Sequence, residues 1–218
     1  YSQMTGTGGG MPFYEYMHQP GVDSLRREIS DPRIPKQVGS VAEQLGKKTV
    51  LSESYAMCGW DLNFEEMRWI AGWQFVNGVN LICQHLQAYS LKGSRKRDYP
   101  PSLFHQQTWY EDYHRFNDYL ARLGQLLGEH KKHIDLLLLH PMHSGWVSYD
   151  GSNCEEIQAL DQGFIYATEL LSGSHIDYHL GDEVIMRRHG QILPDGSLQI
   201  GAYTYRAIAL PDCLTIDQ

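Results

Sequence analysis

Acidic and imidazole side chains follow several apolar stretches of this sequence, at points where a strand would leave the core. Glu53 comes directly after the apolar residues of "KTVLS", Glu15 and His18 lie in and after "MPFYEYM", and His85 ends "VNLICQH". General acid/base chemistry needs two carboxyl groups, one protonated and one ionised, whose pKa values are separated by their surroundings. We therefore expect Glu53 and Glu15 to face one crevice, with His18 and His85 beside them.

Aromatic residues stand close to the same positions. Tyr14 and Tyr16 flank Glu15, and Tyr55 and Trp60 follow Glu53 in the sequence. The chain has 14 Tyr and 5 Trp, many of them next to polar residues. Such rings suit a carbohydrate or another polar ring as ligand, although Tyr and Trp also serve as core residues with a polar tip.

Alternating strand and helix patterns would position these side chains. Strands are predicted at "MPFYEYM" (11–17), "KTVLS" and "VNLICQH" (79–85). A helix is expected after Pro35, ending at Gly46, and a second one after a capping box formed by Asn63 and Glu66. The third helix has its apolar residues at a 4-3-4-3-4 spacing, namely Trp109, Tyr113, Phe116, Leu120, Leu123 and Leu127, and is expected to stop at Gly128. This alternation predicts parallel βαβ units covered by helices.

The pattern restarts after the charged hinge "GEHKKH". Four consecutive leucines in "HIDLLLLHP" (133–141) predict a central parallel strand that is buried on both faces. A helix with Ile157 and Leu171 in its apolar stripe follows, then a strand at 175–180 and a hairpin around Asp195-Gly196. We therefore predict an α/β fold in two domains, residues 1–132 and 133–218.

Composition excludes several classes of function. A formal charge of −8 argues against nucleic acid as partner, because phosphate binding needs clustered Lys and Arg. No apolar run approaches the length of a membrane span. Four cysteines without CxxC spacing indicate reduced thiols, so we expect a cytoplasmic protein. The glycine-rich "TGTGGG" (5–10) lacks the strand and helix that a dinucleotide-binding loop requires, which leaves nucleotide binding as a weak alternative.

Three stretches carry a resemblance to a known architecture. "VLSES…GW", "GVNLICQHLQAYS" and "LLLLHPMHSGWV" look like the end of a (β/α)8 glycoside hydrolase joined to a glutamine-amidotransferase-like domain. The arrangement is similar to the family 42 β-galactosidases, and the local sequence is closer to the α-L-rhamnosidase-like proteins of family 106. The resemblance implies that residues 1–132 hold the last β/α units of a TIM-type barrel. Residues 133–218 would then begin an incomplete flavodoxin-like or amidotransferase-like domain.

The resemblance also implies roles for individual residues. Glu53 would end the seventh barrel strand and act as nucleophile or general base, and Glu15 is the second candidate catalytic residue. The other candidates would bind substrate, with Trp60 stacking on a sugar ring: Tyr14, Tyr16, His18, Tyr55, Trp60 and His85. The partner acid of related barrels lies on the fourth strand, which this chain lacks. We therefore expect the isolated chain to be inactive, and to associate with the remainder of a longer chain or with further copies as an oligomer. The expected substrate is a carbohydrate, and no cofactor and no metal are expected.

Structural readings of the same residues remain open. Glu53 could cap a helix or form a salt bridge, Glu15 could hold tyrosine hydroxyls, and His85 could cap a loop. His140 and His143 lack a third metal ligand and are expected to be structural. The alternative to a glycosidase is a non-catalytic carbohydrate-binding or assembly protein on the same fold.

Overall fold

A computed structural model describes residues 8–97, 99, 103–151 and 155–216. These residues form two compact units, which we name by their parallel sheets. The sheet A unit comprises residues 19–38 and 48–131, and the sheet B unit comprises 8–18, 39–47 and 132–216. Helix α2 (Arg33–Gln44) contributes its first half to the sheet A unit and its second half to the sheet B unit. The interpretation of residues 1–132 and 133–218 as two domains of the kinds named above stays a prediction.

Sheet A has three parallel strands in the order β1-β2-β3. The strands are β1 (Gly21–Ser24), β2 (Leu51–Ser54) and β3 (Leu81–Gln84). Helices α3 (Phe64–Val76) and α4 (Tyr113–Glu129) belong to the same unit. In the register of the sheet, Asp23 is the partner of Glu53, and Glu53 is the partner of Cys83. These three residues therefore share one face of the sheet, because side chains alternate along a strand.

Helix α3 begins at the predicted capping box. The side chain of Asn63 accepts hydrogen bonds from the backbone N–H groups of Glu65 and Glu66, at 3.0 and 3.1 Å. The carboxylate of Glu66 in turn accepts from the backbone N–H of Asn63 at 3.3 Å. The apolar spacing that follows the cap turns one face of the helix inward, where these side chains are buried: Met67, Ile70, Ala71 and Phe75.

A single amide side chain holds the starts of β2 and β3 together. Oδ1 of Asn80 accepts from the backbone N–H of Val50 at 2.8 Å, and its Nδ2 donates to the carbonyl of Lys48 at 2.7 Å. Asn80 thereby supplies hydrogen bonds that a neighbouring strand would otherwise supply. Helix α4 comes close at this point because Gly124 has no side chain; a Cβ there would lie 2.3 Å from the carbonyl oxygen of Asn80.

The predicted strand at 11–17 is wrong. Met11–Tyr14 form a short helix, α1, with Pro12 in its first turn. Proline at this position is favourable, because the first N–H groups of a helix have no partner and the ring fixes φ at a helical value. Consequently Tyr14 ends a helix, and Glu15, Tyr16 and His18 follow that helix and do not stand at the end of a strand. The first strand of sheet A is Gly21–Ser24, after the turn at Pro20.

Sheet B has the strand order β5-β4-β9, and all its pairs are parallel. The predicted central position of the four leucines is confirmed, because β4 (Leu136–Leu139) lies between β5 (His179–Gly181) and β9 (Ala207–Ala209). Three helices accompany it: α5 (Met142–Ser148), α6 (Glu155–Gly173) and α7 (Glu183–His189). The predicted hairpin is also confirmed, and a further strand extends it to an antiparallel sheet of β6 (Gly190–Ile192), β7 (Leu198–Ile200) and β8 (Tyr203–Tyr205).

A buried polar network joins four segments of the sheet B unit. The carboxylate of Glu43, on α2, lies 3.3 Å from Nζ of Lys132 and 3.2 Å from Nε2 of His179, and it accepts a hydrogen bond from the hydroxyl of Tyr203 at 2.9 Å. Nδ1 of His179 lies 2.7 Å from the hydroxyl of Tyr205. Burial alone would raise the pKa of Glu43. The contacts with His179, Lys132 and Tyr203 outweigh burial and lower the pKa to about 2.

The fold is therefore a mixed α/β fold with parallel sheets, as predicted. Whether the units belong to a barrel and to an amidotransferase-like domain stays a prediction. Among the described residues, no helix is both long enough and apolar enough to cross a membrane. Cys58, Cys83 and Cys213 are free thiols, and Cys154 lies outside the described residues.

Candidate functional site

Two carboxylates stand side by side on the open face of sheet A. Asp23 on β1 and Glu53 on β2 are direct partners in the parallel register. Neighbouring strands lie about 4.8 Å apart, so the two side chains leave the sheet at about that spacing. Asp23 is exposed and Glu53 is half-buried. The pair can therefore contact a ligand lying on this face.

The two faces of sheet A differ in their cover. On one face Ser52 and Ser54 are fully buried, and Gln74 of α3 donates a hydrogen bond to the hydroxyl of Ser54 at 3.0 Å. On the other face Leu81 is 41% exposed and Cys83 is exposed. Parallel sheets are normally covered on both faces, so the open face around Glu53 is unusual.

The side chain of Glu53 has no hydrogen bond or ion pair with any other residue that the structure describes. The capping and salt-bridge readings of Glu53 therefore find no support within those residues. A carboxylate without a partner keeps its full capacity to accept hydrogen bonds. Such a group is a candidate for interaction with a substrate.

The turn after β2 holds an uncommon backbone conformation. Tyr55 has φ +75° and Met57 has φ +61°, and Gly59 follows with φ +83°. A positive φ in a bulky residue is an outlier that surrounding contacts must maintain, and such outliers cluster at functional sites. Tyr55 is maintained by burial and by its hydroxyl, which donates to the carbonyl of Met67 at 3.0 Å. Burial raises the pKa of Tyr55. The hydroxyl proposed to bind substrate is thus already engaged.

Arg27 fastens the loop after β1 to the loop after β2. Its Nε and Nη2 donate to the carbonyl of Cys58 at 3.1 and 2.8 Å, and Nη2 also lies 2.7 Å from Asp61. Nη1 pairs with Glu66 of the capping box. A second link is the hydrogen bond from the N–H of Arg26 to the carbonyl of Ala56, at 2.7 Å. These contacts fix the segment that follows Glu53.

Trp60 and His85 lie in loops at the carboxyl ends of the strands. Trp60 is half-buried, and its indole N–H donates to the carbonyl of Lys96 at 3.2 Å, so the ring is oriented but not enclosed. His85 follows β3 directly, and its backbone N–H donates to the carbonyl of Ser54 at 2.8 Å. Its Nδ1 is buried and has no hydrogen-bond partner among the described residues. An unsatisfied buried nitrogen next to this edge is a second group available to a ligand.

The remaining sequence-predicted residues belong to the sheet B unit. Glu15 pairs with Nη1 of Arg188 at 2.6 Å and with Nε2 of His189 at 2.7 Å. Burial would raise the pKa of Glu15, but the hydrogen bonds from His189 and Arg188 lower it. Tyr16 and His18 are exposed, and Tyr14 is partly buried against the core, where burial raises its pKa. Glu15 is therefore ionised and held by two cationic side chains, and its catalytic role stays a prediction.

Asp23 is the residue that the sequence analysis missed. The aromatic residues of 11–17 predict a strand ten residues before β1, so the sequence pattern does not place Asp23 in the sheet. The signal was present: "GVDS" and "LSES" are both four-residue strands with a carboxylate in third position. Within the described part of the chain, no group of three or more His, Cys, Asp or Glu side chains is arranged to hold a metal ion. Glycines 8–10 precede the short helix α1, and residues 5–7 of "TGTGGG" lie outside the described residues.

Comparison with known proteins finds a likeness in fold and no match in sequence. No protein family matches the sequence, and no curated protein matches it. Among solved structures, the fold is similar to that of a rhamnosidase from Novosphingobium sp. PP1Y, with a TM-score of 0.64 and 17% sequence identity. The match covers 92% of this chain and 19% of the rhamnosidase chain. The chain is therefore an α/β protein with the fold of a small part of that much longer chain.

Proposed function

We propose that this chain is part of a glycoside hydrolase and that Glu53 acts as its nucleophile or general base. The observation that carries the proposal is the pairing of Glu53 with Asp23 in the register of sheet A. Two carboxyl groups on either side of a glycosidic bond are the usual catalytic equipment of glycosidases. The likeness in fold to a rhamnosidase supports an α-L-rhamnoside as the first substrate to try.

Asp23 replaces Glu15 as the proposed second carboxylate. Glu15 already accepts hydrogen bonds from Arg188 and His189, whereas Asp23 is exposed and adjacent to Glu53. A spacing of about 5 Å between carboxyl groups belongs to retaining glycosidases, and about 6.5–9.5 Å to inverting ones. Because Asp23 and Glu53 occupy partner positions on neighbouring strands, both carboxyl groups can contact the same glycosidic bond, and the separation of the two carboxyl groups in the complex decides between the two outcomes.

Trp60 and His85 complete the proposed substrate contacts. The half-buried indole of Trp60 would stack on the apolar face of a sugar ring, and Nδ1 of His85 would bond a hydroxyl. Arg27 would position the loop that carries Trp60 through its bonds to Cys58 and Asp61. The hydroxyl of Tyr55 holds the turn through its bond to Met67, so Tyr55 is not among the proposed substrate contacts.

The test is turnover of 4-nitrophenyl α-L-rhamnopyranoside by the protein that carries this chain. Glu53→Gln keeps the shape of the side chain and should lower kcat by about 100-fold or more, the scale for loss of acid/base participation. Asp23→Asn should lower it by a similar factor. Asp118→Asn, at an exposed position on α4, is the matched control and should leave kcat unchanged.

An unchanged kcat in Glu53→Gln would remove that residue from the mechanism. A wild-type protein that binds the rhamnoside without hydrolysing it would favour the alternative, a non-catalytic carbohydrate-binding protein. Loss of activity in Glu53→Gln but not in Asp23→Asn would mean that Asp23 is not the second catalytic carboxylate. That carboxylate would then come from sequence outside this chain.

A further inference from the structure

A cavity of about 690 Å³ lies wholly within the sheet B unit. It is formed by the residues after α1, the end of α2, the end of α7 and the turn before β8. Its volume is within the range of small-molecule sites, about 300–1,000 Å³. The lining residues are Glu15, Tyr16, Gln44, Leu45, Gly46, Lys47, His189, Gly201 and Ala202.

Tyr16 supplies an aromatic wall to this cavity. Its side chain is 71% exposed, although the ring is held in place by Arg188. The guanidinium carbon of Arg188 lies 6.0 Å from the ring centroid, and Nη1 donates to the hydroxyl of Tyr16 at 3.1 Å. A ring that is fixed yet exposed presents an apolar face to a ligand at little further cost in conformational entropy.

The polar groups of the cavity have opposite charges. The carboxylate of Glu15 is fixed by Arg188 and His189, and the ammonium group of Lys47 is fixed on the carbonyl of Met17 at 2.6 Å. Hydroxyl groups both donate and accept hydrogen bonds, so adjacent hydroxyls on a ring fit a neighbouring carboxylate and ammonium. Gln44 and His189 add polar side chains to the lining, and Leu45 and Ala202 add apolar ones.

Two glycines leave the cavity accessible. Gly46 has φ +71° at the end of α2, and a Cβ there would meet no atom within 4 Å. Gly201 has φ +51°, and a Cβ there would lie 2.1 Å from the carbonyl oxygen of Gln44. The turn before β8 can therefore lie against the end of α2, which brings Gly201 and Ala202 to the cavity.

We propose that this cavity is an ancillary carbohydrate-binding site that takes a pyranose ring, stacked on Tyr16 with its hydroxyls bonded to Glu15 and Lys47. The inference rests on the proposed function for its choice of ligand class, but the cavity uses no residue of the sheet A unit. It gives Glu15 and Tyr16 a binding role that does not depend on the chemistry at Glu53.

The experiment follows the 218-residue chain by two-dimensional NMR during titration with methyl α-L-rhamnopyranoside. Tyr16→Ala should weaken binding by about tenfold or more, as expected for truncating a central aromatic contact. Tyr16→Phe, which keeps the ring, should retain most of the affinity. Tyr166→Ala is the matched control, because Tyr166 is a similarly exposed tyrosine of the same unit, at 66%. Sorbitol, which has hydroxyls but no ring, should not bind.

Several results would overturn the inference. They are absence of binding, equal affinity in wild type and Tyr16→Ala, or equal binding of sorbitol. Binding that survives Tyr16→Ala but is lost in Glu53→Gln would place the sugar at sheet A and leave the proposed function intact. Conversely, binding that depends on Tyr16 in a protein without hydrolase activity would keep the ancillary site and refute the proposed function.

Discussion

Two half-buried carboxylates, one in each unit, have opposite surroundings. Glu43 is bonded to Lys132, His179 and Tyr203, whereas Glu53 has no side-chain partner among the described residues. The first arrangement stabilises the ionised carboxylate within the fold, and the second leaves the carboxylate available. The bonds of Glu43 are filled by the protein, whereas Glu53 has bonds to spare for a ligand.

The largest expected effect on folding is at Glu43. Replacing it in Glu43→Gln removes the charge that Lys132 and His179 face, and should lower the free energy of unfolding by about 2–3 kcal/mol. Urea denaturation of the 218-residue chain measures this loss. A change below about 0.5 kcal/mol would show that the network contributes little and that the contrast with Glu53 is not one of stability.

Acid should remove the same contribution in the wild type. The pKa of Glu43 is about 2 in the folded chain, against an ordinary value of 4.5. The unfolded chain therefore binds the proton more readily between these values, and the stabilisation present above pH 4.5 is lost as the pH falls towards 2. The difference between wild type and Glu43→Gln should shrink over that window by up to about 1.4 kcal/mol per pH unit. A difference that stays constant with pH would contradict the assignment.

An intermediate effect is expected at the helix that follows the loop of Glu53. Asn63→Ala removes the cap of α3 and should cost about 1 kcal/mol of unfolding free energy. Asn117→Ala, on the exposed surface of α4, is the amide control, since Asn117 accepts a surface hydrogen bond from Gln84 and caps no helix. Thermal melts of both variants decide this prediction, and equal midpoints would mean that the capping box is not needed to anchor the loop.

The smallest effect, and one of opposite sign, is expected at Glu53. Because Asp23 and Glu53 are adjacent like charges, Glu53→Gln should leave the free energy of unfolding unchanged or raise it by up to about 0.5 kcal/mol. Any gain should decrease in high salt, which screens exposed charges. A decrease in the free energy of unfolding of more than about 1 kcal/mol would show that Glu53 has a structural role, as Glu43 does.

Periodic and capped segments could be predicted from the sequence because their signals are local. The capping box at Asn63, the stripe of α3 and the central strand of four leucines each depend on neighbouring residues. The helix at Met11–Tyr14 was mistaken for a strand because four aromatic and apolar residues in a row carry no clear period. Helix α4 also continues through Gly128, the expected stop, to Glu129.

The candidate site was less accessible to sequence reasoning because it depends on register. Glu53 was found from its place after an apolar run, but its pairing with Asp23 follows only once β1 is placed at Gly21–Ser24. The contacts of Glu15 with Arg188 and His189 join residues more than 170 positions apart, and no local pattern indicates them. The left-handed conformation of Tyr55 is likewise set by distant contacts, since a bulky side chain does not favour it.

Deamidation of Asn80 would remove a contact that holds the sheet A unit together. Hydrolysis of that side chain to a carboxylate would keep the acceptor for the N–H of Val50 but replace the donor to Lys48 with a negative charge facing a carbonyl oxygen. One spontaneous chemical change would then separate the starts of β2 and β3 and loosen α4, which lies against the same residue through Gly124. Such a change would act at the amino ends of the strands, away from the edge that carries Glu53.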